Sequence, residues 1–98
     1  MYIYGMWRIL ERKDIGRKLK KCPREVQEKY DKWLDVLEQS GPSGLRQIRG
    51  FNDEGLKGKW KGHRSSWLNL QYRVIYQIKN DEVVVLVIDI TPHDYRKK

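Results

Sequence analysis

Cysteine is the scarcest reactive residue in this sequence: Cys22 stands alone among 98 residues. A single thiol excludes an internal disulfide and any cysteine-rich metal site. That usage fits a reducing, cytoplasmic setting. Histidine is nearly as rare, with only His63 and His93. No His/Cys zinc spacing exists, so neither metal nor cofactor is expected. Long apolar runs are also missing. The opening MYIYGMWRIL is too short to span a bilayer, and Arg8 interrupts it. It has neither a charged leading region nor a small-residue cleavage site, so it reads as a strand rather than a signal peptide. No membrane partner is expected. There is no internal repeat and no low-complexity tract. The phosphate-cradling G-x-x-x-x-G-K-[ST] loop and the G-x-S-x-G elbow are both absent.

What is present is positive charge. Lysine and arginine number 21 against 13 acids, a formal net charge of +8. Such a balance favours a polyanionic partner, nucleic acid first. A hydrophobic content of 39% supports one small core, so residues 1–98 read as a single domain.

Taken in order, residues 2–10 carry aromatic and β-branched side chains and read as a first strand. Residues 11–21 are heavily charged, with Ile15 and Leu19 spaced for a short helix. Pro23 suits a first helical position, and Glu25 and Glu28 follow it, where the helix dipole favours acids. Val26, Tyr30, Trp33, Leu34 and Leu37 then recur at three- and four-residue spacing, predicting an amphipathic helix over 23–39. Residues 40–44 form a loop. Residues 45–51 read as a short strand, 52–55 as a turn and 59–68 as a further strand. Residues 72–79 alternate, with Val74, Tyr76 and Ile78 on one face and Arg73, Ile75 and Gln77 on the other. Asn80 and Asp81 form a hairpin turn. The unbroken VVVLVI of 83–88 predicts a central strand buried on both faces. Thr91 and Pro92 stop it. The order of elements predicts an α+β fold, with two helices packed on one face of a small twisted antiparallel sheet. The other face is left free to bind.

The remaining chemistry suits RNA cleavage without metal. A ribose 2′-hydroxyl attacks the adjacent phosphate, a base takes its proton, and an acid protonates the leaving 5′-oxygen. Fixed cations stabilise the charge building on phosphorus-bound oxygens. His93 titrates near neutrality and suits either proton transfer. Tyr95 suits proton donation or stacking on an unstacked base. Arg73 suits bidentate phosphate binding. Lys57, Lys59, Lys61 and Arg64 suit the RNA backbone. His63 ranks second because Gly62 places it in a turn. Each residue also has a plain role: His93 capping the strand end, Tyr95 packing on the sheet edge, Arg73 pairing with Asp89, and the lysines forming a solvated face.

Several segments together resemble bacterial toxins of the RelE/ParE superfamily, closest to the RelE-type mRNA interferases of type II toxin–antitoxin systems. They are Leu56-Lys57-Gly58, Ser65-Ser66 with Leu68-Asn69, Tyr72-Arg73-Val74-Ile75-Tyr76, and Ile90-Thr91-Pro92-His93-Asp94-Tyr95-Arg96. The helix from Pro23 to Leu37 matches the family's second helix. The resemblance covers nearly the whole chain. It implies one microbial-RNase-like domain, cleavage of mRNA in the decoding site of the small ribosomal subunit, contact with ribosomal RNA, and neutralisation by a cognate antitoxin. On the family pattern, His93, Tyr95, Arg73 and Arg64 are the catalytic positions. Lys57, Lys59, Lys61, Trp67 and Arg96 are RNA-binding, and Glu54 is a further possible base. The family commonly reads Ser-x-Arg-Leu/Ile-Asn where this chain has Ser65-Ser66-Trp67-Leu68-Asn69. Trp67 is either a natural base-stacking residue or an inactivating substitution. A ParE-like inhibitor of DNA gyrase and a plain RNA- or ribosome-binding module are the alternatives.

Overall fold

The computed structural model describes residues 2–4, 7–80 and 82–90. Two short strands open the chain, β1 (Tyr2–Tyr4) and β2 (Trp7–Glu11). Three helices follow, α1 (Ile15–Lys20), α2 (Arg24–Ser40) and α3 (Pro42–Gln47). The rest is β3 (Glu54–Gly55), β4 (Arg64–Trp67), β5 (Tyr72–Lys79) and β6 (Glu82–Ile90). The six strands form one sheet in the order β1-β2-β6-β5-β4-β3. The fold is α+β, as the sequence predicts.

The apolar stripe of α2 explains its place. Val26, Tyr30, Trp33 and Leu37 are all buried, and they meet Val74, Tyr76, Val83, Val85 and Ile88 of the sheet in one core. Each large side chain removed from water contributes about 1.5–3 kcal/mol. Trp33 sits at the centre, stacked on Tyr30 at 5.5 Å and edge-on to Tyr76 at 5.3 Å.

Val83, Val85 and Ile88 do not share one strand period. A register shift resolves this: Ile75 lies opposite Val87, but Tyr76 lies opposite Val85. Leu86 is the extra residue, and the bulge re-phases β6 so that all three side chains face the helices. The alternation expected for β5 is retained, with Val74 and Tyr76 in the core and Ile78 packed against it.

Four details depart from the sequence reading. The sheet is mixed rather than wholly antiparallel, because β2 pairs parallel to β6. The helical layer carries the chain back across the sheet, so β6 enters beside β2 in the same direction. The first strand is a hairpin, β1 pairing antiparallel with β2. Residues 45–51 are not a strand: Pro42 starts α3, Leu45 buries inward, and a 3₁₀ turn follows at Arg49–Phe51. The strand expected over 59–68 is shorter, because Gly58–Trp60 form a 3₁₀ turn and Gly62 has φ +91°.

Gly41 joins α2 to α3 at φ +70°, and a Cβ there would lie 2.6 Å from Trp7 Nε1. Gly16 sits inside α1 with nothing within 4 Å of its would-be Cβ. Opposite signs are expected from one chemical change. In urea denaturation Gly41→Ala should destabilise by about 1–3 kcal/mol. Gly16→Ala should stabilise by roughly 0.4–1 kcal/mol.

Candidate functional site

Alternation along β4 sorts its side chains. Ser66 accepts a hydrogen bond from Trp33 Nε1 of α2 at 3.0 Å, so Ser66 and Arg64 face the helices. Ser65 and Trp67 face the other way. The register carries this into β5, where Arg64 lies opposite Tyr76 and Ser66 opposite Val74. Ser65 lies opposite Ile75, and Trp67 opposite Arg73. The helix-free face therefore brings Trp67 and Arg73 side by side, with Ser65 and Ile75 buried in the row behind them.

On the helix side the structure reveals a residue that sequence reasoning missed. Asp53, treated as a turn residue, has a side chain with 0% exposure. Four donors reach its carboxylate. Arg64 donates to Oδ1 from Nε at 2.8 Å and from Nη2 at 2.6 Å. Ser66 donates to Oδ2 at 2.6 Å, and the Tyr76 hydroxyl also donates to Oδ2. Through Ser66 the network continues to Trp33. The available signal was an acidic pair, Asp53-Glu54, ahead of a basic segment that contains Arg64.

Both partners' acidities follow. Burial works against the Arg64 charge, but the hydrogen bond and charge of Asp53 outweigh it and leave the pKa raised. Burial first, then the hydrogen bond and charge of Asp53, push the Tyr76 hydroxyl far above its ordinary value. Arg64, expected at the phosphate, is thus engaged by Asp53 on the face opposite Arg73.

Arg73 has a different setting. Its Nε is buried and has no hydrogen-bond partner among the described residues. Asp89 lies opposite it in β6. A buried, unpaired guanidinium N–H is a donor in want of an acceptor, and an anion such as phosphate satisfies it with charge.

The basic loop between β3 and β4 supplies Lys57, Lys59 and Lys61, all exposed. His63 is half-buried at its end, with its ring edge-on to Trp60 at 5.2 Å. His63 Nδ1 lies 3.2 Å from the Trp60 carbonyl and 3.3 Å from that of Lys61. Carbonyls only accept, so Nδ1 carries the hydrogen, and the neutral ring keeps its lone pair on Nε2. Glu54 is exposed on the edge strand β3, opposite Ser65. His93, Tyr95 and Arg96 lie outside the described residues; β6 ends just before them at Ile90, opposite Tyr72. Cys22 is a plain thiol that donates to the Lys18 carbonyl at 3.3 Å, and burial raises its pKa.

A three-helix layer on a mixed sheet defines a fold class, and solved structures share it. YafQ from E. coli strain BL21(DE3) superposes with a TM-score of 0.71 at 15% identity, over 87% of this chain and 93% of that one. YafQ in the E. coli DinJ–YafQ toxin–antitoxin complex gives 0.70 at 16%, over 93% and 97%. A YoeB dimer from Staphylococcus aureus gives 0.70 at 16%, over 90% and 100%. The chain has the fold of these proteins. No family model and no curated protein matches the sequence.

Two substitutions probe the Asp53 network. Asp53→Ala leaves the partly buried Arg64 charge, the Ser66 hydroxyl and the Tyr76 hydroxyl without their acceptor, and should cost about 2–4 kcal/mol in denaturant unfolding. Tyr76→Phe should cost about 1–2 kcal/mol at neutral pH. The alkaline limb distinguishes it further. Folded Tyr76 keeps its proton where an unfolded tyrosine, with a pKa of about 10, loses it. Its contribution is therefore complete below about pH 10 and declines as pH rises beyond it, by at most about 1.4 kcal/mol per pH unit. Tyr76→Phe should show a correspondingly shallower loss of stability between about pH 10 and 11.

Proposed function

We propose that this chain is the toxin of a type II toxin–antitoxin system, and that it cleaves mRNA on the ribosome. One observation carries the reading: the buried Nε of Arg73, without a partner among the described residues, beside Trp67 on the sheet face away from the three helices. The toxin fold and the net charge of +8 support it. A fixed guanidinium there binds the scissile phosphate and stabilises the charge that builds during attack. Lys57, Lys59 and Lys61 hold the flanking backbone. The 2′-oxygen bonds to phosphorus as its proton leaves to a base, and the bond to the 5′-oxygen breaks as that oxygen gains a proton. His93 and Tyr95 are the proposed proton carriers, with Arg96 on the RNA. The ribosome supplies the substrate alignment.

An antitoxin is the proposed protein partner, as DinJ is for YafQ in their toxin–antitoxin complex. No helix among the described residues is long and apolar enough to cross a membrane. The proposed place of action is the cytoplasm, where translating ribosomes are.

The test is mRNA cleavage on programmed ribosomes. Arg73→Ala should lower the single-turnover rate about 10²–10³-fold. Arg73→Lys should recover only part of it, because an ammonium lacks the planar fork. Trp67→Arg places a second guanidinium beside Arg73. Cutting by both the natural chain and this variant establishes the nuclease with Trp67 as a working residue. Cutting by the variant alone makes the chain a disabled form. Cutting by neither, with both folded and with supercoiling by purified gyrase inhibited, overturns the reading in favour of a gyrase inhibitor.

A further inference from the structure

We infer that the groove at the β4–β5 turn is a nucleobase subsite that prefers bases bearing an exocyclic amino group. The inference rests on the proposed RNA-cleaving function and gives that site a base preference.

Trp67, Asn69, Leu70 and Gln71, with Glu25 from the first turn of α2, line an open groove of about 600 Å³. Its position links it to the phosphate donor. Trp67 closes β4 and lies directly opposite Arg73 in the register. A nucleotide whose phosphate meets Arg73 has its base within reach of the indole. The lining suits a flat aromatic ligand. Leu70 is 71% exposed, the one large apolar side chain so exposed among the described residues. An indole and an exposed leucine at the mouth of a groove offer an apolar surface to the π-face of a base.

The polar wall supplies selectivity. Asn69 is fixed on both ends of its amide. Its Oδ1 accepts from the backbone N–H of Gln71 at 2.8 Å and of Tyr72 at 2.7 Å, and its Nδ2 donates to Glu25 Oε2 at 2.8 Å. That bond sets Glu25 at the groove wall and leaves Oε1 without a partner among the described residues. An ionised carboxylate only accepts. It pairs with the amino groups of adenine, cytosine or guanine, as acidic side chains do with the cytosine amino group. Uracil has no amino group; its single N3–H donor lies between two carbonyl oxygens, whose repulsion weakens its bond to a carboxylate. An acid facing RNA on so basic a chain is poorly suited to the backbone and well suited to a base edge.

The experiment is an NMR titration of the full ¹⁵N-labelled chain with GMP, AMP, CMP and UMP. All four carry the same phosphate, so differences between them report the base. The three amino-bearing nucleotides should shift the amides of Asn69, Leu70 and Gln71, and UMP should need at least about tenfold higher concentration. Glu25→Gln, at an exposed position, should bring the four within about twofold of one another. Trp67→Ala should weaken all four by about tenfold or more, because it removes stacking rather than edge reading. Equal shifts from all four nucleotides, shifts confined to the lysine loop, or an unchanged ranking in a folded Glu25→Gln variant would each overturn the subsite. The titration needs neither ribosome nor cleavage. A base ranking without mRNA cutting would sink the nuclease reading and leave the subsite standing; cutting without a base ranking would do the reverse.

Discussion

The Asp53 carboxylate is the interaction on which the β4–β5 half of the sheet depends. It is fully buried, and three side chains from two strands converge on it. Without it, the Arg64 charge and the hydroxyls of Ser66 and Tyr76 would lie against an apolar core with no acceptor. With it, the segment that follows α3 is tied to β4 and β5, and through Ser66 to Trp33 at the centre of α2. The lysine loop begins a few residues beyond Asp53 and returns at Arg64, so both of its ends are anchored in one network. A buried charge cluster of this kind adds modest net stability compared with an apolar substitute. What it fixes here is the place of a loop and the face to which each β4 side chain is turned.

From that fixed register the two faces of the sheet take different chemistry. The helix side is filled by aromatic and branched side chains around Trp33. The opposite side keeps Arg73, whose buried Nε has no partner among the described residues, with Trp67 beside it. The bulge at Leu86 is what allows β6 to supply Val83, Val85 and Ile88 to one core while pairing along β5. A strongly packed layer behind Arg73 suits the phosphate binding proposed above, since donors held rigid before the substrate arrives need no reorganisation during the reaction.

Much of this was legible in the chain. The stripe from Val26 to Leu37 fell on α2 because helical periodicity and burial coincide there. Residues 72–79 and 83–88 fell on β5 and β6 because β-branched residues dominate both. Arg73 was singled out by residue type and Trp67 by its departure from the family pattern, but their adjacency needed the strand register. The short α3 was hidden because Ser-Gly-Pro-Ser-Gly has the composition of a loop, and only tertiary burial of Leu45 stabilises so brief a helix. The parallel pairing of β2 with β6 joins segments far apart in sequence and has no local signature. Asp53 was lost among turn-forming neighbours, since nothing in a single sequence marks an acid as buried. Arg64 was read as a phosphate ligand because its charge is visible and its partner is not. Glu25 was read for the helix dipole alone, although it also reaches Asn69 across the fold.

The most direct test is the structure of this chain bound to a ribosome carrying mRNA with a 2′-deoxy nucleotide at the cleavage position. The account predicts the helix-free sheet face against the mRNA, with the Arg73 guanidinium within hydrogen-bond distance of the scissile phosphate. A complex in which the Arg73 guanidinium faces away from the RNA would contradict it.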